Sequence, residues 1–509
     1  MMTVRPRARR LAPGLFAAAL AAAAAIPALA QGPRYERLLI KNAYVIDGTG
    51  TPTRGPLDIV IDGNTIVSVT ASVRTEAGGS SFGASAIGDR KPDRVIDATG
   101  MYVMPGIIDV HSHIQFSRAG IAMPKDYEFK LLLANGITTI RDPGSLEGID
   151  TIVAYAKASA ENRITAPTIV PYAVVQVNTP ADARALIKQL KLKGAKGLKV
   201  FIEPPDVWAA IGEEARAQDL PIATDLKVQQ THALDAVRYG VRSIEHWYGI
   251  PESAMPGPQA FPATYNYDNE LDRFRWAGDL WRQADSARLS GVIDTMIAHG
   301  VTWDPTFAIY EANRDLQRAQ TQPWFADYAL PAMMMQFEPS TSRHGSYFFD
   351  WTTADEVRWR NDYRIWMRWV REFAARGGNV TVGSDAGFIY ELYGFTTIRE
   401  MEMQQEAGFE PLEVIQHATS NGAKLLRLPN TGVVRQGFKA DLLILDANPL
   451  YNLKYLYATG VQQEVGGKMV RKGGVKYTIK DGVVFDAPAL AAEVRAMVAA
   501  AKGAAPAGH

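Results

Sequence analysis

The 509-residue chain contains no cysteine. That excludes disulfide bracing and thiolate metal sites, so core packing must hold the fold and any metal must take nitrogen or oxygen ligands. Beyond the first thirty residues there is no long uncharged apolar run, which argues against stable membrane insertion. A polybasic stretch is missing as well. Of 54 basic and 54 acidic residues, Arg5, Arg7, Arg9 and Arg10 lie in the first thirty, leaving 50 basic against 54 acidic in the remainder. A mildly acidic chain of this kind argues against nucleic acid and anionic membranes as partners. Hydrophobic residues make up 47% and charged residues 21%, the composition of a globular protein rather than a disordered one.

The N-terminus carries a basic start, an apolar Ala-rich run from Leu15 to Ile26, and Ala28-Leu29-Ala30 before Gln31. This pattern reads as a signal peptide over residues 1–30, cleaved near Ala30/Gln31, for a periplasmic or secreted protein. The apolar run is short for a retained anchor. The Arg9-Arg10 pair leaves both general secretion and twin-arginine export open.

Residues 31–105 contain "RLLIKNAYVIDG", "DIVIDGNTIVSVT" and "DRVIDATGMYVMPG". Alternating Val, Ile and Thr between Asp-Gly and Gly-Asn turns predict β-hairpins. "TEAGGSSFGASAIGDRKP" interrupts them as a flexible surface insertion. From 106 to 428, short apolar runs alternate with helix-length amphipathic segments: "GIIDVH", "GITTIRD", "TIVPYAV", "GLKVFI", "LPIATDL", "VRSIEH", "VTWDPTF" and "NVTVGSD". Eight parallel strands close a (β/α)8 barrel, and their C-terminal ends carry the chemistry. Residues 429–486 return to short strands. They are expected to pair with the first β region, making one small flanking β-sandwich from both ends of the chain, with a helix and tail over 487–509. The fold class is α/β.

The sharpest signal is His111-Ser112-His113, at the end of the first barrel strand. Alternate strand residues point to one side, so His-x-His aims two imidazoles at a common cation.

Together, "LIKNAYVIDGTG", "VIDATGMYVMPGIIDVHSH", "GITTIRDPG", "VRSIEH", "VGSDAG" and "ATSNGAKLL…GVVRQGFKADLLILDANPL" resemble the amidohydrolase superfamily. The closer likeness is to its imidazolonepropionase-like and Xaa-Pro dipeptidase-like branch, and it spans roughly residues 37 to 486. The resemblance implies a barrel holding one or two divalent metal ions, with Zn²⁺ the first expectation. It implies His111 and His113 as first-strand ligands, Lys199 as a fourth-strand lysine that such enzymes often carry carboxylated, and His246 as the sixth-strand ligand. Asp385 would both bind metal and take the proton of the nucleophilic water. A carbamate on Lys199 makes sense only between two cations; the alternative is a salt-bridged lysine. One position departs from the pattern: the fifth strand ends in Asp225 where histidine is usual. Asp225 as an oxygen ligand, His232 as a replacement nitrogen from the following loop, and a single-metal site needing neither all stay open.

Nine of the ten tryptophans fall between Trp247 and Trp369, where the segments after the sixth and the seventh strands are both long. Trp247, Tyr248, Tyr310, Tyr390 and Tyr393 follow catalytic strand ends and are candidates to line a substrate pocket, against packing of helices onto the barrel. His299, His344, His417 and His509 are not at catalytic strand ends, and Arg141 with Asp142 is expected to be a structural pair. The function that follows is an exported, metal-dependent hydrolase of a C–N bond in a small amide, peptide-like or cyclic amide substrate. A homo-oligomer is compatible with this. The alternatives are an ester or lactone hydrolase, a metal-dependent decarboxylase, or a binding protein that has lost its metal chemistry.

Overall fold

The computed structural model describes residues 32–74, 80–81, 90–144, 147–227, 231–267 and 269–504. The expected signal segment and most of the 75–92 insertion lie outside the described residues, as does the tail from 505.

The eight apolar runs form one parallel sheet in chain order: Ile107–Asp109, Ile137–Asp142, Thr168–Val175, Gly197–Val200, Ile222–Thr224, Val241–Glu245, Thr302–Asp304 and Asn379–Val380. The first and last strands are joined by Val110 N–H donating to Val382 O at 2.9 Å and by a parallel bridge between Ser112 and Ala386. The sheet therefore closes into the (β/α)8 barrel. Sequence supplies the reason: these strands are largely apolar and buried on both faces, outside under helices and inside around ion pairs such as Arg141 with Glu245.

A second sheet draws on both chain ends. Its order runs Val483–Asp486, Val475–Lys480, Leu442–Leu445, Tyr102–Pro105, Arg37–Val45, Arg54–Asp62 and Thr65–Ala71, with Arg94–Asp97 also on Arg37–Val45. Ile66 and Phe438 curl it back through a 2.8 Å backbone bond. Strand alternation divides its side chains between two cores. Leu442 and Ile444 pack with Leu38, Ile40, Ile61 and Val103 inside this small domain, while Leu443 and Leu445 join the barrel core. Close approach of the two domains needs Gly136, at φ +82°, since a Cβ there would sit 2.6 Å from Leu443 Cδ1.

The long insertions fold into helices. Thr353–Ala375 begins with Thr352 and Asp355 in a reciprocal capping box. It lays Trp359 and Trp366 on Trp247, at ring distances of 6.3 and 6.1 Å. Among the described residues no helix is long and apolar enough to cross a membrane.

Candidate metal centre and chamber

Four side chains from three distant chain segments converge at the C-terminal mouth of the barrel. His111 Nε2 lies 3.2 Å from His113 Nε2. Asp385 Oδ1 lies 3.4 Å from His111 Nε2 and 3.1 Å from His113 Nε2, and its Oδ2 is 3.7 Å from His246 Nε2. Backbone geometry makes this possible. Asp385 N–H donates to His111 O at 2.7 Å, which staples the last strand end to the first. Asp109, buried, accepts from the backbone of His111 and Ser384 and from the Thr397 hydroxyl. Gly383 lets the strands close in: a Cβ there would fall 2.3 Å from Asp304 Oδ2 and 2.7 Å from His111 Cβ. His246 and Asp385 both adopt left-handed backbone, φ +61° and +54°. Such strain at a non-glycine residue persists where the surroundings over-determine it. At His246 it breaks strand alternation, so that Glu245 and His246 both face the barrel axis.

Hydrogen bonding selects the tautomer of His246. The Thr306 hydroxyl donates to Pro305 O at 2.7 Å, so it accepts from His246 Nδ1–H at 2.5 Å and leaves the Nε2 lone pair facing Asp385. His111 Nδ1 lies 3.6 Å from both Glu245 and Asp304, too far for a hydrogen bond to either. Burial, then the neighbouring Lys199 charge, holds His111 well below its usual pKa, and burial pulls His246 down to about 4. Both imidazoles are neutral at physiological pH, as metal ligation requires.

Lys199 is buried against Glu245, and burial lowers its amine to about 8. Asp225 faces the same chamber. Burial alone would raise its carboxyl, but His246, Lys227, Lys199 and Arg273 hold it below the ordinary value. His232 stands elsewhere: it begins the helix Ala233–Arg238, its backbone N–H donating to Asp235 at 3.0 Å, and it is not part of the chamber lining.

The chamber encloses about 370 Å³, lined by these groups and by Phe201, Phe274, Tyr310, Phe388 and Ile389. Of the aromatic candidates only Tyr310 lines it. Trp247 is corrected to a packing residue, buried among Trp281, Trp359 and Trp366. Tyr248 stands behind the wall and accepts from Arg273 at 3.2 Å. Tyr390 pairs with Gln320, and Tyr393 supports the site indirectly by donating to His113 O at 2.9 Å. Arg141 pairs at 2.5 Å with Glu245 rather than with Asp142.

Glu245, Asp304, Arg273 and His344 were not singled out by sequence reasoning. The first two did carry a signal, each being a carboxylate at the C-terminal end of an apolar barrel strand. Asp304 is fully buried, which raises its carboxyl to about 7. Arg273 and His344 reach the chamber from the insertions, and nothing local marks them.

The profile of the Amidohydrolase family matches residues 102–485. Imidazolonepropionase of Streptomyces griseus is 23% identical over 418 residues, covering 80% of this chain and 90% of that protein. Adenine deaminase of Lysinibacillus sphaericus is 24% identical over 449 residues, 86% of this chain, and the chain spans 60% of the deaminase's length. A Xaa-Pro dipeptidase structure with bound methionine superposes with a TM-score of 0.59 at 19% identity, over 88% of this chain and all of that one. At that identity the likeness is one of fold.

Proposed function

The chain belongs to the amidohydrolase family, metal-dependent hydrolases of carbon–nitrogen bonds, and on that premise we propose that it cleaves an amide or peptide-like bond in a small molecule held in the 370 Å³ chamber. One observation carries the reading. The Nε2 atoms of His111, His113 and His246 gather around the two carboxylate oxygens of Asp385 at 3.1–3.7 Å. His111, His113 and Asp385 bring ligand atoms close enough together to hold one cation. A neutral-imidazole and carboxylate set suits Zn²⁺. His111, His113, His246 and Asp385 would hold it, with Asp225 at the rim and Lys199 available as a carbamate bridge if a second ion is bound.

Such a cation supplies Lewis acidity, making water acidic near neutral pH and polarising the scissile carbonyl. The chain's own groups do the rest. Asp385 accepts the proton of the attacking water and passes it to the leaving nitrogen. Glu245 and Asp304 lie 3.6 Å behind the His111 ring, and Thr306 fixes His246 through a hydrogen bond. Phe201, Phe274, Tyr310 and Phe388 exclude water and receive the apolar part of the substrate.

Elemental analysis of the purified protein, paired with a screen of N-acylated amino acids, cyclic amides and Pro-containing dipeptides, tests the reading. The expected result is stoichiometric divalent metal and C–N hydrolysis lost on chelation. A metal-loaded protein inert to all three classes would overturn it. Asp225→Ala is expected to lower the metal-to-protein ratio, and an unchanged ratio would mean the metal is held without that carboxylate. Export is part of the proposal: N-terminal sequencing of the secreted or periplasmic protein should begin at Gln31.

A further inference from the structure

One element stands outside both cores. Between its strands Leu442–Leu445 and Val475–Lys480 the small domain sends out an antiparallel hairpin of Val461–Val465 and Lys468–Lys472. Gly466 and Gly467 join the two strands at φ +59° and +79°, the left-handed pair that a two-residue hairpin turn needs. Among the described residues neither strand pairs with any other. Eight of the ten strand residues are exposed, Val465 by 49% and Met469 by 64%. The apolar side chains of the hairpin, Val461, Val465, Met469 and Val470, belong to none of the protein's apolar cores. A two-stranded ribbon with both faces wet is marginally stable in water, and its free edges invite a further strand.

The two edges differ. Laid antiparallel on a second copy of itself about Val470, Lys468–Lys472 would set each Lys468 against the partner's Lys472, and like charges directly opposite repel. Lysines of this kind close an edge to pairing. Val461–Val465 reads Val-Gln-Gln-Glu-Val, nearly the same in both directions. Turned about Gln463, it sets Val461 against the partner's Val465, Gln462 against the partner's Glu464, and Gln463 against its own copy. Apolar side chains then meet, and an amide N–H faces a carboxylate. Glu464 gives one oxygen to the Gly467 N–H across the turn, which leaves the other for that contact. The resulting four-stranded sheet carries its two basic strands on the outside, three strand spacings or about 14 Å apart. That is beyond the screening length of about 8 Å in physiological salt. The geometry points to the edge of Val461–Val465 as the contact through which two copies of this chain associate about a two-fold axis. Pairing along five residues is a small interface, so the association is weak, with Kd of about 10–100 μM.

The absence of cysteine supplies the test. A thiol introduced at Gln463 can pair only with its own copy in the partner. Opposite residues of an antiparallel pair, with Cα atoms about 4.5–5.5 Å apart, lie within disulfide reach. Under mild oxidation at about 100 μM protein, Gln463→Cys is expected to run at least about half as a disulfide-linked dimer on non-reducing electrophoresis. Met469→Cys, exposed on the other strand, should stay below about a tenth. Sedimentation velocity on the cysteine-free chain gives a second reading. Inside one hairpin Gln462 faces Arg471, so Gln462→Glu should firm the hairpin and Gln462→Lys loosen it. Across the two-fold axis Gln462 faces the partner's Glu464, and the order reverses. Lysine is expected to tighten the dimer about fivefold and glutamate to weaken it about fivefold, each through two symmetric cross-strand pairs. Three results would each overturn the proposal: a wild type that stays monomeric to about 300 μM, a dimer indifferent to both Gln462 variants, or equal cross-linking of Gln463→Cys and Met469→Cys.

Discussion

Asp385→Asn is expected to lower kcat by about 10³–10⁴-fold while the chain stays folded. The amide keeps the shape of the side chain but cannot accept a proton, and it removes the negative charge that faces His111, His113 and His246 at 3.1–3.7 Å. Asparagine also tolerates the left-handed backbone of this position, φ +54°, better than other residues do. The fold should therefore survive, and Asp385 N–H can still donate to His111 O. The measurement is kcat at saturating metal, with far-ultraviolet circular dichroism as the control for folding. A variant within about tenfold of wild type would remove Asp385 from the proton-transfer role.

The second large effect is on stability. Arg141 lies fully buried inside the barrel, bonded to Glu245 at 2.5 Å, to the Ser243 hydroxyl at 3.0 Å and to Val110 O, with Asp304 at 3.7 Å. Arg141→Met fills the volume but leaves two buried carboxylates with Lys199 as their neighbouring cation. Breaking a buried ion pair from one side costs about 3–5 kcal/mol, and Glu245 stands next to His246, so the metal site should loosen too. Denaturant midpoints read the loss. The double variant Arg141→Met with Glu245→Gln should recover part of it, because the stranded charge is gone. A single-variant cost below about 1 kcal/mol would mean that Glu245 and Asp304 are satisfied without the guanidinium.

The separation between what the chain shows locally and what needs the fold follows the range of the physics. All eight barrel strands were legible because each is an apolar run bounded by turn residues, and the pairing of both chain ends because both carry period-2 alternation. The His111-x-His113 pair was legible because strand geometry alone sets its direction. Arg273 and His344 were not, because they come from insertions whose path is set by packing. His344 reaches the chamber by way of Glu270, 74 residues earlier in the chain. The aromatics misled for a related reason: position just after a strand end says nothing about which way a large ring turns. Trp247 turned into the tryptophan cluster, while Tyr310, 5.6 Å from the His246 ring, turned into the chamber.

By itself the sequence determined the element order, the residue types of the candidate metal centre and the rim on which they stand, since periodicity and strand direction are local properties of the chain. Tertiary structure alone decided that Asp225 faces the chamber while His232 begins a helix, that Arg141 answers Glu245, and that Arg273 and His344 reach the chamber from the insertions. Those outcomes depend on where loops of very different length bring charges within a few ångströms, and burial then fixes which of the charges must find partners.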